Sequence, residues 1–155
     1  MNRFIALFAL AALLLGAAPA TADSATSITV KQPWVRASVG ISGPTAAFMT
    51  IANGGSQADR LLKVQTDAAD RVELHRTVMK NGMAMMMKQD GIAVPAGGSV
   101  TLKPGDFHVM IMKLKRPIVK GTVLRLVLTF EKAGDIAVDA KVLGHGSRGM
   151  MHKTH

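Results

Sequence analysis

The chain has 155 residues, no cysteine, and 19 Lys and Arg against 10 Asp and Glu, a formal net charge of +9. That length suits one domain with a real core, and the absent cysteine excludes a disulfide framework, thiol redox chemistry and any thiolate metal site. Scattered basic residues with 4% aromatics argue against nucleic-acid binding, so the charge serves solubility or steers the protein toward an acidic partner or anionic membrane face.

The first segment stands apart from the domain. Arg3 gives a short positive region, residues 4–15 are apolar, and Ala20-Thr21-Ala22 is a small-x-small cleavage site. This is the pattern of a secretory signal peptide over residues 1–22, with the mature chain expected from Asp23. An uncleaved membrane anchor is disfavoured, because the apolar run is short and a cleavage site follows it. No cysteine follows for lipid attachment. Export to the periplasm or the extracellular space is expected, and no later stretch is long and apolar enough to cross a bilayer.

From residue 27 the chain reads as short strands and turns. Residues 28–30 alternate and residues 32–36 continue extended, with Pro33 marking an edge position or a bulge. Residues 39–44 are a loop. Residues 45–52 form a second strand, with Ala47, Met49 and Ile51 on one face and Ala46, Phe48 and Thr50 on the other. Asn53-Gly54-Gly55 ends it, and residues 61–66 form a third strand. After a short break at Ala68-Ala69-Asp70, Val72, Leu74, Arg76 and Val78 share one face of a fourth strand, and Glu73, His75 and Thr77 the other. Asn81-Gly82 is a strong hairpin signal, and residues 83–88 return as the partner strand. Residues 92–94 and 99–102 are short extended pieces around Pro95-Ala96-Gly97-Gly98. A turn at Lys103-Pro104-Gly105-Asp106 leads into strands at 107–114, 121–130 and 136–143. The pattern predicts an all-β antiparallel sandwich or barrel as a single domain, residues 23–143. Residues 144–155 are Gly-, His-, Met- and basic-rich without a buried-strand pattern, and are expected to form a flexible tail.

The chemistry concentrates between residues 72 and 114. Along residues 107–114, His108, Met110 and Met112 share one face while Phe107, Val109 and Ile111 share the other, so a His-x-Met pair presents two donors about 7 Å apart. His75 lies on the fourth strand, and the hairpin after it returns with Met83, Met85, Met86 and Met87. Methionine is a common core filler, and Met49 reads as one. Five methionines between residues 79 and 87 exceed what a core requires, and an exposed hairpin of them is open to oxidation. Imidazole and thioether without thiolate make a neutral, soft donor set that suits Cu(I).

The spacing sharpens this. Ten residues separate His75 from Met86, twenty-one separate Met86 from His108, and His108-Val109-Met110 closes an H-x10-M-x21-H-x-M pattern. The pattern resembles the signature of the periplasmic copper(A) chaperone family, PCu(A)C. The resemblance extends through Pro33-Trp34-Val35-Arg36-Ala37, Thr45-Ala46-Ala47-Phe48-Met49, Val72-Glu73-Leu74-His75, Lys103-Pro104-Gly105 and Leu128-Thr129-Phe130-Glu131, covering residues 28–142. It implies a cupredoxin-like Greek-key β-barrel and a Cu(I) site formed by His75, Met86, His108 and Met110. It implies delivery of copper to cytochrome c oxidase, toward the copper A centre in its copper subunit, beside Sco-type thiol proteins. Many members carry Met directly after the first histidine. Here Arg76 stands there and is expected on the opposite strand face.

No nucleophile–base pair or paired carboxylates point to catalysis, so the expectation is a monomeric carrier and not an enzyme. Two other readings remain open: a periplasmic copper buffer or resistance protein without a dedicated acceptor, and a secreted β-sandwich interaction module in which the methionines only pack. In the tail, His145, Met150, Met151, His152 and His155 are candidates for a second copper site taking Cu(II).

Overall fold

The computed structural model describes residues 26–149. The expected signal segment 1–22 and the tail residues Met150, Met151, His152 and His155 lie outside the described residues. Period-two alternation produces ten strands and no helix among the described residues. They are β1 (Ile28–Arg36), β2 (Thr45–Asn53), β3 (Asp59–Gln65), β4 (Ala69–Lys80), β5 (Met83–Gln89), β6 (Ile92–Val94), β7 (Ser99–Leu102), β8 (Phe107–Leu114), β9 (Val123–Phe130) and β10 (Gly134–Leu143). The all-β expectation holds strand for strand. The break expected at residues 68–70 is shorter than foreseen, since β4 already begins at Ala69.

Hydrogen bonding joins the strands into one sheet in the order β5-β4-β8-β2-β1-β10-β9-β3-β6, with β7 added on β2. β1 and β10 run parallel, whereas the other pairs are antiparallel. Curling of this long sheet lets β3 and β4, distant along the order, face one core. Val35, Ile51, Leu61, Val109, Ile111, Leu126 and Leu128 fill it and are fully buried or nearly so. Met49 belongs to it as well, a gap-filler as its strand face implied. Burial of a side chain of this size contributes roughly 1.5–3 kcal/mol, so this layer sets the strand registers.

A bulge decides what the other face of the sheet carries. Between Lys31 and Trp34, β1 advances one residue more than β2, and Gln32 takes a φ of 49°. An extra residue reverses the alternation of everything after it. Lys31 pairs with Thr50, and after the bulge Trp34 pairs with Phe48 on that same face. The two rings stack with centroids 4.4 Å apart. Pro33 thus sits at a bulge, one of its two expected settings. It is not on an edge, because β1 lies between β2 and β10.

The Asn81-Gly82 turn forms as its sequence predicts. Both residues have positive φ, 51° and 76°, and Lys80 pairs with Met83 across a two-residue loop. At the opposite side of the fold, Asp59 ties β3 to the β9–β10 turn. Its buried carboxylate accepts hydrogen bonds from the backbone N–H groups of Arg60 (2.7 Å), Lys132 (3.0 Å) and Ala133 (2.9 Å). Burial alone would raise its pKa. The N–H donors of Lys132, Arg60 and Ala133, with the Lys132 charge, outweigh burial and lower it below the usual 3.8.

Replacing Asp59 with Ala strands these donors and is expected to cost about 2–3 kcal/mol of unfolding free energy in urea denaturation. Because its folded pKa is depressed, the Asp59 carboxylate stabilises fully above about pH 4 and loses that effect as pH falls through the folded value. Stability of Asp59→Asn should therefore vary less with pH below about 4 than that of the wild type.

Candidate metal centre

Pairing of β4 with β8 sets His75 directly opposite His108 and Glu73 opposite Met110. Directly opposed residues of an antiparallel pair point to the same face. The two imidazoles consequently lie side by side, with ring centroids 5.9 Å apart. Hairpin pairing of β4 with β5 adds Met86, which sits opposite Thr77 on that same face. Met83, Met85 and Met87 fall on the reverse face of β5, opposite Lys80, Val78 and Arg76. Arg76 also leaves the imidazole face, as expected. Its guanidinium lies 4.7 Å from the Phe107 ring centroid, and its Nε is 3.3 Å from Asp106 Oδ1.

Met86, His108 and Met110 line one cleft of about 250 Å³, together with Thr45, Phe48, Thr77, Pro104 and Arg36. His75 stands beside it, against the His108 ring, and does not line it. Met86 is 60% exposed whereas His108 is 3% exposed, so the cleft has a buried imidazole and an exposed thioether at its mouth. Phe48 packs between Trp34 and His108, 6.5 Å from the histidine ring. Arg36 lies over Phe48 at 5.2 Å. His145, from the stretch after β10, also reaches the rim, its Nδ1 3.3 Å from the Ala37 carbonyl. Residues 144–149 are held along β1, where Arg36 Nε donates to the Ser147 carbonyl at 3.0 Å.

Each imidazole has one nitrogen anchored and one left bare. His108 Nδ1 lies 2.8 Å from the Asp106 carbonyl, and His75 Nε2 lies 2.9 Å from Glu73 Oε2. His108 Nε2 and His75 Nδ1 are buried without a hydrogen-bond partner. A buried polar atom without a partner is unfavourable by about 1–3 kcal/mol, so two in adjacent rings call for an explanation. A cation accepting both lone pairs supplies one. Among the described residues no three of His, Cys, Asp and Glu are arranged to hold a metal ion. The thioethers of Met86 and Met110, in the cleft with His108, are further donors at hand.

Among the described residues Glu73 is the one carboxylate in contact with an imidazole. Its pKa falls to about 2, through the hydrogen bond from His75, then that from Arg71, reinforced by the charges of Arg71 and Lys88. Sequence reasoning did not assign Glu73 a part. The available signal was its position two residues before His75 on one strand face. A larger groove of about 510 Å³ between β3, β4 and β5 holds Arg71, Glu73 and Lys88 but neither imidazole nor thioether.

Fold and cleft together define an all-β domain with an imidazole–thioether donor face. A family model described as "Putative lipoprotein LpqE-like" matches residues 28–142, and the chain belongs to this family, that of the PCuAC domains. Among curated sequences, "Putative lipoprotein Lxx21020" of Leifsonia xyli is 34% identical over 153 residues, spanning 90% of this chain and 91% of the relative. Among solved structures, the apo PmoF2 PCuAC domain is similar at a TM-score of 0.67 and 26% identity, covering 79% of this chain and 94% of that one. The copper-bound PCuAC domain from PmoF2 follows at 0.65 and 27%, covering 76% and 92%. The solution structure of CuI-DR1885 from Deinococcus radiodurans gives 0.58 and 32%, covering 74% and 78%. The cupredoxin-like fold is thereby established.

Phe48 supports the His108 ring from a site that is only 2% exposed. Phe48→Ala is expected to destabilise the fold by about 3–5 kcal/mol in chemical denaturation, as large-to-small changes in packed interiors do.

Proposed function

We propose that this protein is a copper chaperone that binds one Cu(I) through His75, Met86, His108 and Met110. The observation that carries the reading is the pair of bare, buried nitrogens, His75 Nδ1 and His108 Nε2, beside two thioethers. Support comes from relatives described as a copper-bound PCuAC domain and as CuI-DR1885. Two imidazoles and two thioethers form a neutral set that favours Cu(I) over Cu(II), which prefers harder nitrogen and oxygen surroundings. The protein acts as a carrier and not as a catalyst.

Transfer follows from exposure. Met86 lies at the open side of the cleft on an edge strand, where an incoming donor can displace it first. His108, anchored to the backbone, holds the ion until the acceptor's ligands have engaged. The acceptor in this reading is the copper subunit of cytochrome c oxidase, for its copper A centre, with Sco-type thiol proteins as companions. The compartment is the periplasm, reached through the signal segment, and the carrier acts as a monomer. Its own sequence holds no cysteine, so lipid anchoring through that residue is not part of the proposal even though relatives bear lipoprotein names.

Competitive Cu(I) titration under reducing conditions tests the ligand set. Wild type should bind one equivalent tightly, with mixed sulfur and nitrogen scattering in X-ray absorption. Met86→Leu should lower the affinity yet change unfolding free energy by less than about 1.5 kcal/mol, since the volumes match. A shell of nitrogen and oxygen only would refute the assignment. Oxidase activity in a deletion strain at low copper tests the acceptor: its loss supports delivery, whereas copper sensitivity with intact oxidase supports a buffer.

A further inference from the structure

We propose that Glu73 is a positioning residue that commits His75 to presenting Nδ1, so that the two histidines offer unlike ring nitrogens, Nδ1 of His75 and Nε2 of His108, to one ion. The inference rests on the reading of His75 and His108 as copper ligands and goes beyond it.

A neutral imidazole carries one N–H and one lone pair. Backbone carbonyls and ionised carboxylates only accept. Asp106 O therefore requires the proton of His108 on Nδ1, leaving the Nε2 lone pair bare. Glu73 Oε2, 2.9 Å from His75 Nε2, requires the His75 proton on Nε2, leaving Nδ1 bare. The atoms the two acceptors leave free are the two buried atoms without partners. The anchors thus select opposite tautomers in adjacent rings.

Glu73 is itself fixed. Its second oxygen, Oε1, receives Arg71 Nε at 2.9 Å and the neighbouring guanidinium nitrogen at 2.7 Å, and Lys88 Nζ stands 3.6 Å away. Lys88 pairs with His75 across the hairpin that carries Met86. The Glu73 side chain is only 12% exposed, against 54% for Arg71. Arg71 orients the carboxylate, the carboxylate orients the ring, and the ring presents its lone pair. A carboxylate behind a ligating imidazole also raises its basicity, an effect that a purely structural ion pair lacks.

The test reads tautomers directly in the apo protein. Two-bond 1H–15N correlation spectra of 15N-labelled wild type should show His75 protonated on Nε2 and His108 on Nδ1. In Glu73→Ala, His75 should shift to a mixture of tautomers while His108 keeps its own, and Cu(I) affinity in competitive titration should fall about 10–100-fold. Glu73→Gln keeps a single neutral carbonyl acceptor, for which Arg71 and His75 compete, and should give a tautomer population and an affinity between those of wild type and Glu73→Ala. Arg71→Gln breaks the ion pair alone and should leave the His75 tautomer in place. A wild-type His75 protonated on Nδ1 overturns the proposal, and that reading stands even if Glu73→Ala does not fold. So does a Glu73→Ala protein with unchanged tautomer and unchanged affinity. Wild-type affinity in His75→Ala would instead show that His75 is not a ligand, removing the reading on which the proposal rests while the tautomer result stood separately.

Discussion

Everything at the cleft depends on the register of β4 against β8. His75 meets His108 only because Leu74 meets Val109 on the reverse face, where both are buried in the core. A slip of one residue would turn His75 inward and Leu74 outward, exposing apolar surface and burying a polar ring. Core packing therefore holds the donors together, and no cation is required to assemble them.

The electrostatics of the face complement that geometry. The candidate donors are uncharged, so an arriving monovalent cation adds a charge the fold has not neutralised at the ring nitrogens themselves. Glu73 supplies negative charge one imidazole away, and Arg71 and Lys88 moderate it in turn. In the proposed site a carboxylate bonded to the second nitrogen of the His75 ring would leave the soft donors to set the preference among metals. On the other side Phe48, backed by the stacked Trp34 ring, lines the cleft with apolar surface beside the buried His108 ring.

The strands were legible because alternation and turn residues are local signals. The Asn81-Gly82 turn, the pieces at residues 92–94 and 99–102, and the faces of β8 follow directly from them. The proximity of His75 and His108 was legible through spacing and resemblance, not through any local rule, since strand pairing joins residues far apart in sequence. Three features were not foreseen. The parity change at the β1 bulge, which brings Trp34 onto Phe48, needs the strand partner to be known. The role open to Glu73 needed the ring nitrogens. The seating of residues 144–149 on β1 depends on Arg36, more than a hundred positions away, and a polar, glycine-rich sequence carries no trace of it.

β5 ends the sheet order, so one side of its backbone has no neighbouring strand among the described residues. Such an edge is a template for another chain, and pairing there would lay a foreign strand beside Met86. The hairpin carries exposed Lys80 near its tip and exposed Lys88 near its base. Two copies approaching edge to edge would bring these like charges together, while a single acidic surface would not be repelled. Lysines at both ends of an exposed edge are a known device against strand pairing between copies, and here they flank the strand that carries Met86.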